Sequence, residues 1–338
     1  MVPVLNALDR LVPNLRVLLR TMVPASFFEH CLTVPWELSA AEQDIGCIQN
    51  GPLTIDIDAT WREHNRFHLT WDDRIHVEVE AMRAARPDMI LADTPYLAGA
   101  QAAIPTVALV SFTWDLILSE YPVPPDIAGW TLLQSIRQAY AKADLALRIT
   151  PAPKMELFPS LIDIGPIAEP AASAREQLAA LVRLAPEERA VLVGFGGIPK
   201  TSLPFVQLEP LTNYRFLFDG PIPSDSARFI STKSLPLSFK TLLASVDIIL
   251  TKPGYGTLVE AVALGIPLVY VRRYNFADEQ SLVDYLHQHG RGVELTREDF
   301  SGGRWEPAIQ SALNLPIPTA PAAVTGAEEA ASHLVRFF

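Results

Sequence analysis

Two segments of this 338-residue chain have the same order of residue types, and this similarity restricts the possible folds more than any other feature. Residues 88–110 contain a short apolar run, the turn Asp-Thr-Pro-Tyr, a helical stretch, an Ile-Pro pair and a second apolar run. Residues 247–271 repeat this order, with Thr-Lys-Pro-Gly-Tyr at the turn. A proline can open a strand because the first residue need not donate to the sheet. The pattern predicts two similar strand–helix–strand units, one in each half; the alternative is a chance likeness between two ordinary units of this kind.

Short apolar runs separated by helical stretches continue along the whole chain. Continuous apolar strands that alternate with helices are typical of parallel sheets covered on both faces. At about 150 residues per domain, the length of the chain favours two domains. We therefore predict an α/β protein with two Rossmann-like domains whose parallel sheets face a cleft. The predicted strands are Leu15–Leu19, Met89–Ala92, Thr106–Val110, Leu145–Ile149, Ala190–Val193, Arg215–Phe218, Ile248–Thr251 and Leu268–Val271.

Prolines mark the predicted boundary between the two domains. Residues 150–159 contain three prolines directly after a predicted strand, which favours a stiff connector. The first domain is therefore predicted at residues 1–150 and the second at residues 151–324. Residues 325–338 have a helical pattern in which Thr325 and Glu328 fit a capping box. We expect this C-terminal helix to return to the first domain.

Composition and charge argue against several classes of function. The net charge is −11, from 27 basic and 38 acidic residues, and neither half has the dense basic surface that nucleic acid requires. Cys31 and Cys47 fit no zinc or redox spacing, which indicates reduced thiols and predicts a cytoplasmic protein. The first residues do not have the pattern of a secretory signal. The uncharged stretch 94–114 is long enough to suggest a membrane span, but its two prolines and its place in the first repeated unit favour a soluble domain.

A glycine-rich turn in the second repeated unit is the strongest candidate for a binding site. Lys252, Gly254 and Gly256 follow a predicted strand, and a helix is expected to begin near Thr257. Free amides and the dipole at a helix start bind anions, and glycines let a diphosphate approach the backbone. Glu260, one turn into the helix, has two interpretations: it either completes a capping box with Thr257 or accepts hydrogen bonds from a ribose.

Two further segments follow predicted strands of the second domain. Gly194–Gly197 is either a plain turn or a second backbone cradle that faces the same diphosphate. Asp278, Glu279 and Gln280 open the helix after the last predicted strand. They are either first-turn acids that the helix dipole favours or acceptors for sugar hydroxyls.

The glycine turn, the glutamate in the helix, the Gly-Ile-Pro triplet at 265–267, the next strand and the Asp-Glu-Gln triplet resemble the donor-binding half of GT-B glycosyltransferases. The MurG-like and glucuronosyltransferase-like groups share this order. The resemblance implies the GT-B fold and inverting transfer of a sugar from a nucleoside-diphosphate donor, with UDP the expected nucleotide, to a hydroxyl acceptor. Enzymes of this fold need no bound metal, so no metal or other cofactor is expected.

A closer resemblance extends through both halves of the chain, to the glycosyltransferase-like N-terminal part of plant L-arabinokinases. The kinase part of those enzymes has no counterpart in these residues. The segments that carry the resemblance are 56–60, 88–96, 111–121, 252–260, 271–273 and 302–305.

The resemblance also implies a role for each residue of the donor site. The glycine turns and Thr257 contact the diphosphate, with Lys252 adding charge, and Glu260 holds the ribose. The stretch 228–235 holds the base, and the Asp-Glu-Gln triplet contacts the sugar. A glutamate stands where the family has the aspartate of an Asp-Gln pair, which leaves the donor sugar open. The implied donor-binding residues are Gly196, Gly197, Ile230, Leu235, Lys252, Gly254, Gly256, Thr257, Glu260, Asp278, Glu279 and Gln280.

The first domain departs from the pattern of the family. A Rossmann-like domain begins with a strand and a glycine-rich loop, whereas residues 2–12 already have the pattern of the first helix. The opening strand and its loop, which lines the acceptor site in the family and often supplies a histidine, are therefore expected to be missing. Asp93 and Asp115 each follow a predicted strand and are the candidate catalytic bases, with Asp93 preferred. His64 and His68 share a helical face, which indicates either a solvated surface or part of a metal site.

Three functions are compatible with these observations. The first is a glycosyltransferase whose partners are a nucleotide sugar and a hydroxyl acceptor. The second is a sugar-nucleotide sensor that binds the donor without transferring the sugar. The third is a nucleotide-sugar 2-epimerase of the same fold, against which the lack of a histidine near residues 278–280 argues.

Overall fold

The computed structural model describes residues 1–97, 104–195, 203–319 and 322–338. All eight predicted strands are present within a residue or two of the expected positions, and none of the helices described is both long and apolar enough to cross a bilayer. The strands are β1 Val17–Arg20, β2 Trp36–Ser39, β3 Ile90–Asp93, β4 Thr106–Val110, β5 Leu145–Ile149, β6 Leu161–Ile164, β7 Arg189–Val193, β8 Tyr214–Phe218, β9 Phe229–Ser231, β10 Ile248–Thr251, β11 Leu268–Tyr270 and β12 Gly292–Glu294. The helices are α1 Val2–Asp9, α2 Ala25–Phe28, α3 Ile57–Leu69, α4 Trp71–Ala85, α5 Trp114–Ser119, α6 Gly129–Tyr140, α7 Arg175–Val182, α8 Phe205–Leu208, α9 Phe239–Leu243, α10 Tyr255–Leu264, α11 Glu279–His289, α12 Arg297–Ser301, α13 Glu306–Asn314 and α14 Gly326–Leu334, with 3₁₀ turns at Thr232–Ser234 and Val335–Phe337.

The second domain is built on one parallel sheet with the strand order β12-β11-β10-β7-β8-β9. Its central strands are buried on both faces. In β10, Ile248 and Leu250 pack into a cluster that includes Ile309 of α13, while Ile249 packs into another cluster with Leu258 of α10. The continuous apolar runs in the sequence therefore reflect a sheet that helices cover on both sides.

The first domain carries its parallel strands in two pieces. One piece is the pair β1-β2, and the other has the order β3-β4-β5-β6. Leu19 of β1 and Leu109 of β4 belong to the same buried cluster, so both pieces contribute to one core. Among the residues described, no strand joins β1 to β3. The pairing of Leu147 with Ile162 places β6 in this sheet, although β6 lies beyond the predicted boundary at residue 150.

The C-terminal helix α14 packs against α1. Leu334 of α14 and Leu8 of α1 lie in the core of the first domain. The expected capping box is wrong, because the Thr325 side chain caps no amide of the helix. The Glu329 carboxylate instead accepts a hydrogen bond from the Gly165 amide at 2.8 Å, which fixes α14 to the connector between the domains.

The carboxyl ends of the two sheets face each other. The segment after β11 packs on the segment after β4, with the rings of Phe276 and Phe112 5.5 Å apart. The Tyr121 hydroxyl donates to the Asn275 carbonyl at 2.8 Å across the same contact. Because ligands of open α/β sheets bind beyond the carboxyl ends of the strands, the cleft between the domains is the place to search for a site.

Candidate functional site

The glycine turn of the second domain forms the amino end of α10. β10 ends at Thr251, and Gly254, in an extended conformation, caps the helix. A cavity of about 280 Å³ is lined by Thr251, Lys252 and residues 254–257. The first amides of a helix have no acceptor within it, and the helix dipole adds partial positive charge. The cavity can therefore bind an anion through the backbone.

Gly256 lines this cavity, and no described residue requires a glycine there. A Cβ atom at Gly256 would meet no atom of the described residues within 4 Å. A glycine inside a helix costs about 0.5–1 kcal/mol of stability relative to alanine. The missing side chain leaves the backbone of Gly256 open to a ligand. This access is a reason for a glycine at a position where alanine would stabilise the helix.

Lys252 brings a positive charge to the cavity although it is only 9% exposed. Its Nζ atom lies 3.3 Å from the place that a Cβ on Gly254 would occupy. Burial, and next the charge of Arg273, lower the pKa of Lys252 to about 8. The ammonium is therefore protonated at neutral pH and loses its proton only one unit higher.

Glu260 lies one turn into α10, beside the cavity. Because α10 begins at Tyr255 and is capped by Gly254, Thr257 is inside the helix and forms no capping box with Glu260. The Glu260 carboxylate is 12% exposed and lies 3.4 Å from Nζ of Lys240. Burial raises its pKa, and the charge of Lys240 opposes that shift. The structure therefore excludes the capping box, and the contact of Glu260 with a ribose stays a prediction.

Ile230 lies in β9, the edge strand of the second sheet, and Leu235 follows the 3₁₀ turn. Both are half-buried against the core of the second domain, and their contact with a nucleobase stays a prediction. Gly196 and Gly197 lie outside the residues described, so the predicted second cradle stays a prediction.

Glu279, at the end of the loop between β11 and α11, does not have the surroundings that were predicted for it. This residue is 1% exposed, and its carboxylate accepts the amides of Arg273 at 3.0 Å and Tyr274 at 2.8 Å. It also pairs with the guanidinium groups of Arg272 and Arg273. Both of its carboxylate oxygens accept from its own loop, so in this structure Glu279 holds the loop, and its contact with a sugar is not supported.

The neighbours of Glu279 are differently placed. Asp278 is 5% exposed, its Oδ1 atom has no hydrogen-bond partner among the residues described, and burial raises its pKa to about 7. Gln280 is exposed and contacts Arg272 and Asp284. Asp278 therefore has unused hydrogen-bonding capacity, and Gln280 is accessible to a ligand.

The two predicted bases of the first domain have opposite surroundings. Asp93 ends β3 with its side chain half exposed, and its Oδ2 atom lies 3.7 Å from the α-amino nitrogen of Met1. Asp115 is 3% exposed, and its carboxylate accepts a hydrogen bond from Nε of Arg137 at 3.0 Å. This ion pair of the buried Asp115 with the partly exposed Arg137 joins α5 to α6, which argues against Asp115 as a base, and Asp93 stays a prediction.

Asp44 is a carboxylate that the sequence did not single out. It lies in the irregular segment between β2 and α3 and accepts a hydrogen bond from the indole nitrogen of Trp114 at 2.5 Å. Burial raises the pKa of Asp44 to about 6; the Trp114 bond opposes this shift, and the charges of Asp93 and Glu42 add to it. No local motif marks this residue, because its partners come from distant strands.

His64 and His68 belong to the core rather than to a solvated surface or a metal site. His64 is fully buried, and burial lowers its pKa to about 3. His68 stacks on Trp71 and shares a hydrogen bond of 3.1 Å with the Tyr96 hydroxyl, and burial lowers its pKa to about 4. Within the described ranges no three His, Cys, Asp or Glu residues are grouped as metal ligands.

Comparisons with solved structures identify this architecture. The glycotransferase of kitacinnamycin is 16% identical, has a TM-score of 0.63, and is matched over 99% of this chain and 90% of its own. The chain has the GT-B fold. The calicheamicin glycosyltransferase CalG4 has a TM-score of 0.57 at 15% identity, over 99% of this chain and 89% of its own. Arabidopsis thaliana UGT89C1 also has a TM-score of 0.57 at 15% identity, over 99% and 96%.

Comparison of the sequence gives a second likeness. L-arabinokinase of Arabidopsis thaliana is 27% identical over 306 residues, which are 86% of this chain and 28% of that enzyme. The chain therefore spans less than a third of the length of this relative. No model of a known protein family matches the chain.

Proposed function

We propose that this GT-B protein is an inverting glycosyltransferase, which moves a sugar from a nucleoside-diphosphate donor to a hydroxyl acceptor. The observation that carries the proposal is the cavity at the amino end of α10, where free amides, Lys252 and Gly256 meet. A cavity of this kind suits a diphosphate better than a neutral ligand, because the helix start and the ammonium both favour negative charge.

The proposed reaction uses groups from both walls of the cleft. A carboxylate of the first domain removes the proton of the acceptor hydroxyl, and Asp93 is the candidate that the sequence predicts. The acceptor oxygen then bonds to the anomeric carbon from the face opposite the diphosphate, and the bond between that carbon and the diphosphate oxygen breaks. The amides of α10 and Lys252 stabilise the charge that develops on the departing diphosphate.

The nucleoside would lie along α10 towards the interior of the second domain. Glu260 would accept hydrogen bonds from the ribose hydroxyls, displacing Lys240, which lies 3.4 Å from its carboxylate. Ile230 and Leu235 would contact the base, with uracil the first candidate. Asp278 and Gln280 would contact the sugar, since Glu279 is committed to its own loop.

The proposal includes two conditions. Because the α10 amides and Lys252 supply positive charge to the leaving group, transfer needs no divalent metal. The protein acts in the cytoplasm, where the free thiols of Cys31 and Cys47 stay reduced. Both conditions can be checked, by transfer in the presence of a chelator and by localisation of the tagged protein.

The test combines ligand-dependent melting with mass spectrometry of the products. UDP, GDP and dTDP at millimolar concentration are compared, and the nucleotide that binds should raise the melting temperature. The matching nucleotide sugar is then incubated with a panel of hydroxyl acceptors. A product heavier by one sugar supports a transferase, binding without transfer indicates a sensor, and a donor of unchanged mass with inverted C2 indicates an epimerase. No melting shift with any nucleotide would contradict all three.

A further inference from the structure

Asp44 lies in the first domain close to its contact with the second domain, because its partner Trp114 packs on Phe112, whose ring packs on Phe276. It follows the carboxyl end of β2, while Asp93 ends β3 and Trp114 follows β4. These three residues therefore lie at the carboxyl edge of the parallel strands, the edge that packs towards the loop after β11. An acceptor hydroxyl attacking a sugar held by the second domain would enter the cleft beside them.

A chain of hydrogen bonds fixes the position of the Asp44 carboxylate. The Trp114 indole nitrogen donates to Asp44 Oδ2 at 2.5 Å, and the Trp114 backbone amide donates to the Tyr140 hydroxyl at 3.2 Å. That hydroxyl donates to the Thr94 carbonyl at 2.6 Å. Thr94 has a φ of +73°, a conformation that costs a non-glycine residue free energy and that recurs at functional sites. These bonds therefore link Asp44, through Trp114 and Tyr140, to Thr94, the residue that follows Asp93.

We propose that Asp44 is the group that accepts the proton of the acceptor hydroxyl, and that Trp114 and Asp93 set its position and its basicity. This inference rests on the proposed glycosyl transfer. In it Asp44, rather than Asp93, is the base. The indole bond holds Oδ2 of the carboxylate, and Oδ1 is the oxygen that would take the proton.

The charges around Asp44 suit this role. Burial and the negative charges of Asp93 and Glu42 raise its pKa to about 6, and Trp114 limits the shift. A carboxylate with this pKa is deprotonated at pH 7 and is a stronger base than an ordinary aspartate. The other groups near it are the hydroxyls of Tyr96 and Tyr140, whose pKa values burial raises above the ordinary range, and Arg74, which pairs with Glu42 at 3.0 Å.

The test is the pH profile of transfer for the wild type and four variants. Asp44→Asn should lower kcat by about 10²- to 10⁴-fold, the usual contribution of a general base, and should leave the affinity for UDP unchanged. Asp58→Asn, the same substitution on an exposed position of α3, is the matched control and should change neither quantity.

Two further variants should move the acidic limb of the profile in opposite directions. Asp93→Asn removes a negative charge, so the limb should shift to lower pH. Trp114→Phe removes the indole donor, so the limb should shift to higher pH. A limb that stays in place in both variants, or an Asp44→Asn enzyme that keeps wild-type kcat, would overturn the inference while leaving the proposed transfer intact. A wild-type protein that binds no nucleotide would overturn the proposed function first, and the role of Asp44 with it.

Discussion

The substitution Gly256→Ala separates binding from stability at the candidate donor site. Gly256 is the second residue of α10, and an added Cβ would meet no atom within 4 Å in the part of the chain that the structure describes. The variant should therefore fold without strain. Because alanine is favoured over glycine within a helix by about 0.5–1 kcal/mol, its free energy of unfolding should rise by up to that amount.

The same methyl group should weaken the binding of a diphosphate. It would hold the ligand away from the first amides of α10 and remove at least one charge-assisted hydrogen bond. Such a bond contributes about 1.5–3 kcal/mol. The dissociation constant for UDP should therefore rise by about 10- to 100-fold.

Titration calorimetry and urea denaturation measure the two effects on one protein sample. Uridine is the control ligand, because it lacks the diphosphate and its weaker affinity should be the same for both proteins. A variant that is more stable and binds UDP as tightly as the wild type would refute the role of this backbone. A variant that loses both stability and affinity would show that the methyl group disturbs the fold instead.

Four other predictions follow from buried or charged groups. Lys252→Met should weaken UDP binding, and in the wild type the affinity should fall as pH rises through about 8, where Lys252 loses its proton; calorimetry at pH 7 and pH 9 checks this. His64 and His68 have lowered pKa values in the folded state, so the unfolded chain takes up their protons first as the pH falls. The free energy of unfolding should be full above pH 6.5 and fall below it by up to about 1.4 kcal/mol per pH unit for each histidine. Urea denaturation should show a smaller slope for His64→Leu, and a profile that is flat in the wild type would contradict the prediction. Glu279→Gln leaves Arg273 without its buried partner and should cost about 3–5 kcal/mol in urea denaturation, whereas an exposed or replaceable Glu279 would cost almost nothing. EDTA should change neither UDP affinity nor transfer, and a loss that Mg²⁺ restores would show that the proposed metal-free reaction is wrong.

Much of the fold was predictable because its main strands are buried on both faces. β4 and β10 are continuous apolar runs with every residue buried, and such runs are visible without a structure. β2 and β6 were missed because they are short and their side chains are half-buried, so neither an apolar run nor an alternation marks them. The boundary was predicted at residue 150 without β6, which continues the first sheet beyond that residue.

The candidate site was predictable only where its residues are neighbours in the chain. Lys252, Gly254 and Gly256 lie in one turn between a strand and a helix. A glycine-rich turn at that place predicts an anion site from the sequence alone. Glu279 was misplaced because its loop folds back over its carboxylate, with Tyr274 at a positive φ. Asp44 was missed because its environment is made by the residues after β3 and β4, which no spacing along the chain reveals.

The most direct test of the account is a structure of the protein with UDP bound. The account predicts the diphosphate at the amides of residues 255–257 beside Lys252, the ribose at Glu260 in place of Lys240, and the base against Ile230 and Leu235. A diphosphate bound elsewhere, or a ribose that leaves the contact between Glu260 and Lys240 intact, would contradict it.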